Sequence, residues 1–478
     1  MSATQSSGSG LLALHNPALF DPDAVGLTHS LRRPLAERLL ALLKRLGPSG
    51  APQHQLILGG PGSGKTMLLR TLRHAILQDA ELSRRWLPLT FPEAQWDVAR
   101  PADLWVNALD YLVVALERGL PSGAGGTGGQ AGLGFGAAEA RRLEALVASL
   151  PDDEDARTKA SLALLVSESE RIGLRFVLLV DTLDVVLDRL KKDQWHVREV
   201  LSSEPRLMVI GTSARAIEAT YRYDAAFYDF FQLHELRPLD RGRLALQLEA
   251  LAEGRLRSRL LQLQRVAPAV FETCLDLLGS QPRKLAILAN AVHELAGQAL
   301  DSGAKPPENL SETLVLSVLD ALTPTLIAKM DALAPQSQMV VHAVATAWHP
   351  ARPQEVAQRS RLHPNVVSAQ LHRLIQEGVI EKVPLPPGGR HGVLLSDRLF
   401  QVWLLLRLGQ PHRRRLVTAA RALEAAHRGI LPTAETLAGL SWPRELIGII
   451  DPEVVLARIA PEIGFLASNQ ISLQIKPE

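Results

Sequence analysis

A single cysteine, Cys274, stands in a chain of 478 residues. That excludes an internal disulfide framework and any metal site built from several thiolates, and it fits a reducing compartment. Buried and inert is the expected state for such a thiol. Charge of one sign is also missing: 52 basic residues face 50 acidic ones, for a formal net charge of +2. No global field draws the chain to nucleic acid or to a membrane, although local basic patches remain open. No uninterrupted apolar run reaches the roughly 18 residues that span a bilayer, and the start MSATQSSGSG has no basic n-region. A soluble cytoplasmic protein without a membrane partner is expected. No internal repeat of about 20–50 residues appears, which removes solenoids and propellers.

What is present is ample apolar material. At 46% hydrophobic residues the chain can fill real cores, and its length suggests about three domains. An N-terminal extension and entry helix (1–52) precede a region (53–239) in which short apolar runs alternate with helical patterns. HQLIL, RWLPLTF, RFVLLVD, RLMVIGTS and FFQLHEL read as strands. Several are continuous apolar runs, so the expected fold class is α/β, a parallel sheet covered on both faces. A glycine-rich stretch, 120–136, interrupts it as a flexible insertion. From 240 to 305 the pattern is helical only. A turn-rich GAKPPEN leads into a smaller domain at 310–396, and a helical segment fills 397–478.

The strongest motif is Gly59-Gly60-Pro61-Gly62-Ser63-Gly64-Lys65-Thr66, which fits G-x-x-x-x-G-K-[ST] between an expected strand and an expected helix. Glycines let backbone N–H groups turn toward phosphate oxygens, and the helix that follows points its positive end at the anion. Lys65 should reach the β- and γ-phosphates of ATP and Thr66 should give its hydroxyl oxygen to Mg²⁺. Asp181 closes an apolar strand at the sheet edge where ligands bind, and is expected to complete the Mg²⁺ site. The next position is Thr182, where many ATP hydrolases carry glutamate. The nearest further acid is Asp184, read either as the group that orients a water or as the cap of the helix VVLDRL. Thr212 and Ser213 end the next strand and offer hydroxyls to the γ-phosphate or the attacking water.

Taken together, GGPGSGKT, FVLLVDTLD, LMVIGTS and GSQPRKL resemble the AAA+ family of P-loop NTPases, in particular its origin-recognition and STAND branches, over Asn16 to Pro384. The lead-in NPALFDP resembles that of both branches. The resemblance implies an ATP-binding core, a helical lid and then a winged helix. It also implies that Ser213 or Thr212 is a polar sensor and that Arg283, in QPRKL, is a second sensor closing the lid on the γ-phosphate. Arg222, before the fifth strand, falls where a partner subunit often offers an arginine finger. The chain departs from the pattern at Thr182 and at Ala214, which separates the sensor hydroxyls from Arg215.

The stretch from Pro335 to Ser396 reads as helix, short helix, longer helix and two-stranded hairpin, with GVIEKV and VLLS as strands and PLPPGGRHG as wing. It resembles a MarR-like winged helix-turn-helix. On the longer helix Val367, Leu371, Leu374 and Ile375 form the apolar stripe; Asn365, Ala369, His372 and Gln376 lie opposite, with Arg373 on the flank. One reading sets Asn365, His372 and Arg373 in a major groove and Arg390 along the phosphate backbone. The other packs this module against the ATPase, and six Lys/Arg against four Asp/Glu from Asp331 to Ser396 favour it.

These readings converge on an ATP- and Mg²⁺-dependent switch with slow, assembly-gated hydrolysis, self-association and a separately encoded effector or sensor protein. The STAND resemblance implies a place in prokaryotic signalling or antiphage defence. The alternative is an ATP-regulated initiator or transcription regulator on duplex DNA. A fast motor is disfavoured by Thr182 and by the lack of a substrate-threading aromatic-hydrophobic-glycine loop.

Overall fold

A computed structural model describes residues 30–47, 50–91, 97–119, 136–214, 217, 220, 223–251, 255–304, 307, 309–347, 350–385, 390–407, 420–421, 423–425 and 427–428. The lead-in NPALFDP, the glycine-rich insertion up to residue 135, Arg222, the basic run Arg413–Arg415 and most of 397–478 lie outside these residues.

Strands β1 (Gln55–Leu58), β2 (Trp86–Thr90), β3 (Arg175–Val180), β4 (Leu207–Ser213) and β5 (Gln232–Glu235) form one parallel sheet in the order β2-β3-β4-β1-β5. Every residue of β3 and β4 is buried, the cause of the apolar runs Phe176–Val180 and Leu207–Ile210 within them. Alternate side chains still divide between two cores. Val177 and Leu179 join Leu39 and Leu43 of α1 (Arg33–Arg45) and Leu68 and Leu72 of α2 (Lys65–Gln78) on one face. On the other, Phe176, Leu178 and Val180 meet α3 (Pro101–Glu117), α4 (Ala137–Ala148), α5 (Glu154–Ile172), α6 (Leu183–Arg189) and α7 (Gln194–Ser203). Because β4 lies between β1 and β3, the C-terminal ends of these three strands meet at one edge, and each delivers site residues there.

His54 secures this core just before β1. Its Nδ1 accepts from Val209 N–H at 3.0 Å, so its Nε2 donates to Leu201 O at 3.0 Å, and the ring stacks on Phe230 at 4.8 Å. Burial pushes the imidazole down to about 4. An unfolded histidine takes its proton near ~6.5. Between those values the unfolded chain therefore binds more protons, so this stabilisation is whole above the higher value and is lost as pH falls toward the lower. Its size is on the order of 3 kcal/mol. Denaturant titrations at neutral and mildly acidic pH should show that loss, and His54→Gln, which keeps a donor and an acceptor without titrating, should flatten it. An equally steep dependence in His54→Gln contradicts this role.

Beyond the sheet the chain is helical through α8 (Arg241–Glu249), α9 (Arg255–Val266), α10 (Pro268–Leu278), α11 (Pro282–Asp301) and α12 (Leu310–Asp331). Then follow α13 (Pro335–Ala347), α14 (Pro353–Ser360), α15 (Pro364–Gln376), the antiparallel pair β6 (Ile380–Leu385) and β7 (Arg390–Leu395), and α16 (Arg398–Arg407). Ala351 bridges to Val393 beside the hairpin. A single hydrophobic cluster runs from Leu239 to Leu423, so the helical region and the module after it share a core. Cys274 is wholly buried there, and burial pushes its thiol well above the ordinary range.

One expectation needs correction. The hairpin strands extend into the stretch read as wing, pairing Pro384 with His391 and Leu385 with Arg390. Proline is tolerated because, in a two-stranded pair, its missing N–H can face outward. The expectation of no uninterrupted membrane-length apolar run holds: α12 is long and apolar enough on average, by length and composition, to cross a bilayer, but Glu312 and Asp320 interrupt its sequence. Leu314, Val315, Val318, Leu319, Leu322 and Leu326 instead pack into the shared core.

Candidate functional site

The loop between β1 and α2 reverses through two left-handed glycines, Gly62 (φ 79°) and Gly64 (φ 94°), and α2 begins at Lys65 with no acid in its first turn. Its positive end is left uncompensated, as an anion cradle requires. Lys65 Nζ donates to Gly59 O at 2.6 Å and to Gly60 O at 3.1 Å, which holds the ammonium across the loop's own mouth. Gly59 N–H in turn donates to Ser213 O at 3.0 Å, fastening the loop to the end of β4. Ser63 Oγ is buried and lacks a hydrogen-bond partner among the described residues. Beside the loop opens a cleft of about 570 Å³ lined by Gly59, Gly60, Ser63, Ala214, Arg237 and Gln281.

Asp181, buried at the end of β3, gathers three groups. Thr66 Oγ1 donates to its Oδ2 at 2.5 Å, Thr212 Oγ1 donates to its Oδ1, and Thr182 N–H donates to the same Oδ1 at 3.1 Å. Thr212, read with Ser213 as offering a hydroxyl to the γ-phosphate or the attacking water, here donates its hydroxyl to Asp181 and accepts from Thr182 N–H at 3.1 Å. Ser213 is fully buried beside it.

Thr182 is more than the place where a glutamate is absent. Its backbone is left-handed (φ 52°, ψ 45°), a strained state for a β-branched residue that costs about 1–3 kcal/mol. The turn swings Leu183 onto β4, where a Cβ on Gly211 would overlap the Leu183 side chain. Only glycine fits there. Thr182 is also the N-cap of α6, so Asp184 is the second residue of the helix, buried in its first turn, rather than its cap.

Helix α11 meets the cradle directly. Arg283, second residue of α11, donates its N–H to Gly62 O at 3.2 Å, and a Cβ on Gly62 would sit 3.0 Å from Arg283 Cβ. Arg32, missed in the sequence, lies on the same junction. Its Nε donates to Ser63 O at 3.0 Å and its Nη2 to Arg237 O at 2.8 Å. Burial lowers it to about 10, so it stays charged at neutral pH. One hint was available: Arg32 occupies the N-cap of α1, the helix end where a cation is disfavoured and so needs another reason to be present.

The residues fit a nucleotide with its divalent cation: a cradle with a buried, unpartnered hydroxyl, a cation across its mouth, and a hydroxyl–carboxylate pair of the hard oxygen type that Mg²⁺ prefers. No group of three or more His, Cys, Asp or Glu able to hold a metal stands among the described residues. A cation here would therefore draw most of its ligands from phosphate and water.

Sequence comparison gives the class. Residues 31–210 match the family described as AAA ATPase domain, and with the loop, Asp181 and the strand order this part of the chain is a P-loop AAA ATPase domain. Comparison with curated proteins finds no match. Among solved structures, Aeropyrum pernix ORC2, in ADPNP–ADP complexes, is 14% identical (TM-score 0.38, 84% of this chain and 95% of that one). Pyrobaculum aerophilum Cdc6p is 13% identical (TM-score 0.35, 79% and 95%). The Thermotoga maritima RuvB branch migration motor is 13% identical (TM-score 0.34, 78% and 92%). Likeness at this level leaves the function to be read from the chain's own residues.

Proposed function

We propose that the chain is an ATP- and Mg²⁺-dependent molecular switch whose slow hydrolysis is gated by self-association. The observation that carries this reading is the seat of α11 on the cradle, Arg283 N–H to Gly62 O at 3.2 Å. A ligand in the loop and the position of the lid are then mechanically linked. Lys65 exchanges its two loop carbonyls for phosphate oxygens, Thr66 and Asp181 hold the cation, and Arg283 and Arg32 supply positive charge from the lid side and from α1. Bound Mg²⁺ would neutralise charge on the β- and γ-phosphates. Asp184 orients the attacking water from the first turn of α6. Arg222 is proposed as the group a neighbouring subunit offers. Ser213 and Thr212 keep the sensor assignment with a difference: Thr212 acts by fixing Asp181. A separately encoded sensor or effector in prokaryotic signalling or antiphage defence is the setting this switch suits. Mass and shape should be measured with no nucleotide, with ADP and with a non-hydrolysable ATP analogue. A larger species with the analogue alone is expected; one unchanged mass in all three rejects the switch.

One observation favours a second reading, ATP-regulated binding of duplex DNA. The order helix, bridge, helix, helix, hairpin supports a winged helix, and among the described residues nothing packs over the outer face of α15: Asn365, Ser368, His372 and Arg373 are exposed while Val367, Leu371 and Leu374 are buried. Arg373 is held by Glu377 at 2.8 Å and would have to leave it for a phosphate. If this face reads duplex, Arg373→Ala should weaken binding and flatten the log–log salt slope by about 0.9 for the lost contact. A wild-type chain that fails to bind duplex at low salt ends this reading.

A further inference from the structure

Lys284, the residue after Arg283 on α11, reaches a different partner. Its side chain is 10% exposed, and its Nζ donates to Asp397 Oδ1 at 2.9 Å across 113 positions of sequence. Asp397 ends the connection between β7 and α16, and the same Oδ1 accepts Leu399 N–H at 3.1 Å, starting α16. A second lysine shares this carboxylate electrostatically: Lys329 of α12, whose Nζ lies 4.6 Å from the centre of the Phe400 ring. Burial alone would raise Asp397, yet Lys284 and Lys329 hold it below the usual carboxylate range. Burial lowers Lys329. One aspartate thus serves two largely buried lysines, one of them on the turn that carries Arg283.

We propose that Asp397 is a positioning residue for the nucleotide site: through Lys284 it fixes the first turn of α11, and so seats Arg283 over Gly62 of the phosphate loop. This rests on the reading of Arg283 as a nucleotide contact from the lid. Three physical points support it. Consecutive helix residues point about 100° apart, so Arg283 and Lys284 cannot rotate independently once one is clamped. The clamp is charge-assisted, with Lys284 10% and Asp397 26% exposed, hence directional and only partly screened. Both charged groups that act on Asp397, Lys284 and Lys329, are positive, so Asp397→Asn leaves two ammonium groups facing each other.

The test uses the full-length chain and ATP and ADP affinities measured by calorimetry, with thermal unfolding alongside. Asp397→Asn keeps an acceptor for Leu399 N–H and removes the charge. Lys284→Met leaves Asp397 balanced by Lys329, so this variant should fold even if the first does not. Either variant is expected to lower ATP affinity about tenfold while changing ADP affinity less than about threefold, since a contact from the lid to the terminal phosphate is the one misplaced. In an Arg283→Ala background the same substitutions should change ATP affinity less than about twofold, because residues acting through one contact are non-additive. Additive losses, equal losses for ATP and ADP, or a lower unfolding temperature with unchanged ATP affinity each overturn the proposal. Arg283→Ala with wild-type ATP affinity overturns the underlying reading as well, so the two failures are told apart by that single variant.

Discussion

Lys65→Ala is expected to abolish the thermal stabilisation that ATP gives the wild-type chain. In the wild type Nζ spans Gly59 O at 2.6 Å and Gly60 O at 3.1 Å, a cation held over a loop whose other ligand groups are backbone dipoles. Phosphate offers that ammonium a stronger acceptor, so its removal takes the largest charge contact from the complex while the glycine backbone stays. Nucleotide at a hundred times its dissociation constant stabilises a protein by about 2.7 kcal/mol; after a hundredfold loss of affinity the same concentration leaves about 0.4 kcal/mol. The unfolding temperature without nucleotide should move little, because the two carbonyls freed by the substitution lie beside an open cleft and can bind water. An undiminished ATP-induced shift in a folded Lys65→Ala chain contradicts the assignment of this lysine.

The second large effect concerns hydrolysis. Asp184→Asn should lower turnover by roughly 10²–10⁴-fold, the usual worth of a positioned general base, with ATP affinity nearly intact. Thr182 cannot polarise water, and its left-handed backbone is occupied in turning the chain so that Leu183 rests on Gly211. That turn puts Asp184 in the first turn of α6, three residues beyond the carboxylate that holds Thr66. Asp181→Asn should fail differently. It removes the charge that gathers Thr66, Thr212 and Thr182, so Mg²⁺-dependent affinity itself should fall. Wild-type turnover in Asp184→Asn would mean that another group positions the water.

The phosphate loop was legible in sequence because its chemistry demands particular residues at fixed spacing, and the sheet because strands buried on both faces are built around apolar runs. Phe176–Val180 in β3 and Leu207–Ile210 in β4 show this, with the polar Thr212 and Ser213 kept for the site end. Two features had no such signature. Nothing in the letters VDTLD indicates that Thr182 adopts a left-handed backbone, since that conformation goes with the contact of Leu183 against a glycine on another strand. Arg32 and Asp397 act on the site from 31 residues before Ser63 and 113 after Lys284, and helical periodicity reports which face is buried without naming what buries it. For the same reason the shared core from Leu239 to Leu423 could not be told from two separate ones. The wing was read too long: β6 and β7 continue into PLPPGGRHG, pairing Pro384 with His391 and Leu385 with Arg390.

The central claim is that this site hydrolyses ATP slowly alone and faster when subunits assemble. Its most direct test is steady-state turnover per subunit across a wide range of protein concentration, with Asp184→Asn as background. An arginine supplied by a neighbour is worth about 10³–10⁵-fold, so turnover per subunit should climb steeply over the range in which mass rises and then level off. Turnover that is already high in dilute protein and independent of concentration would contradict it.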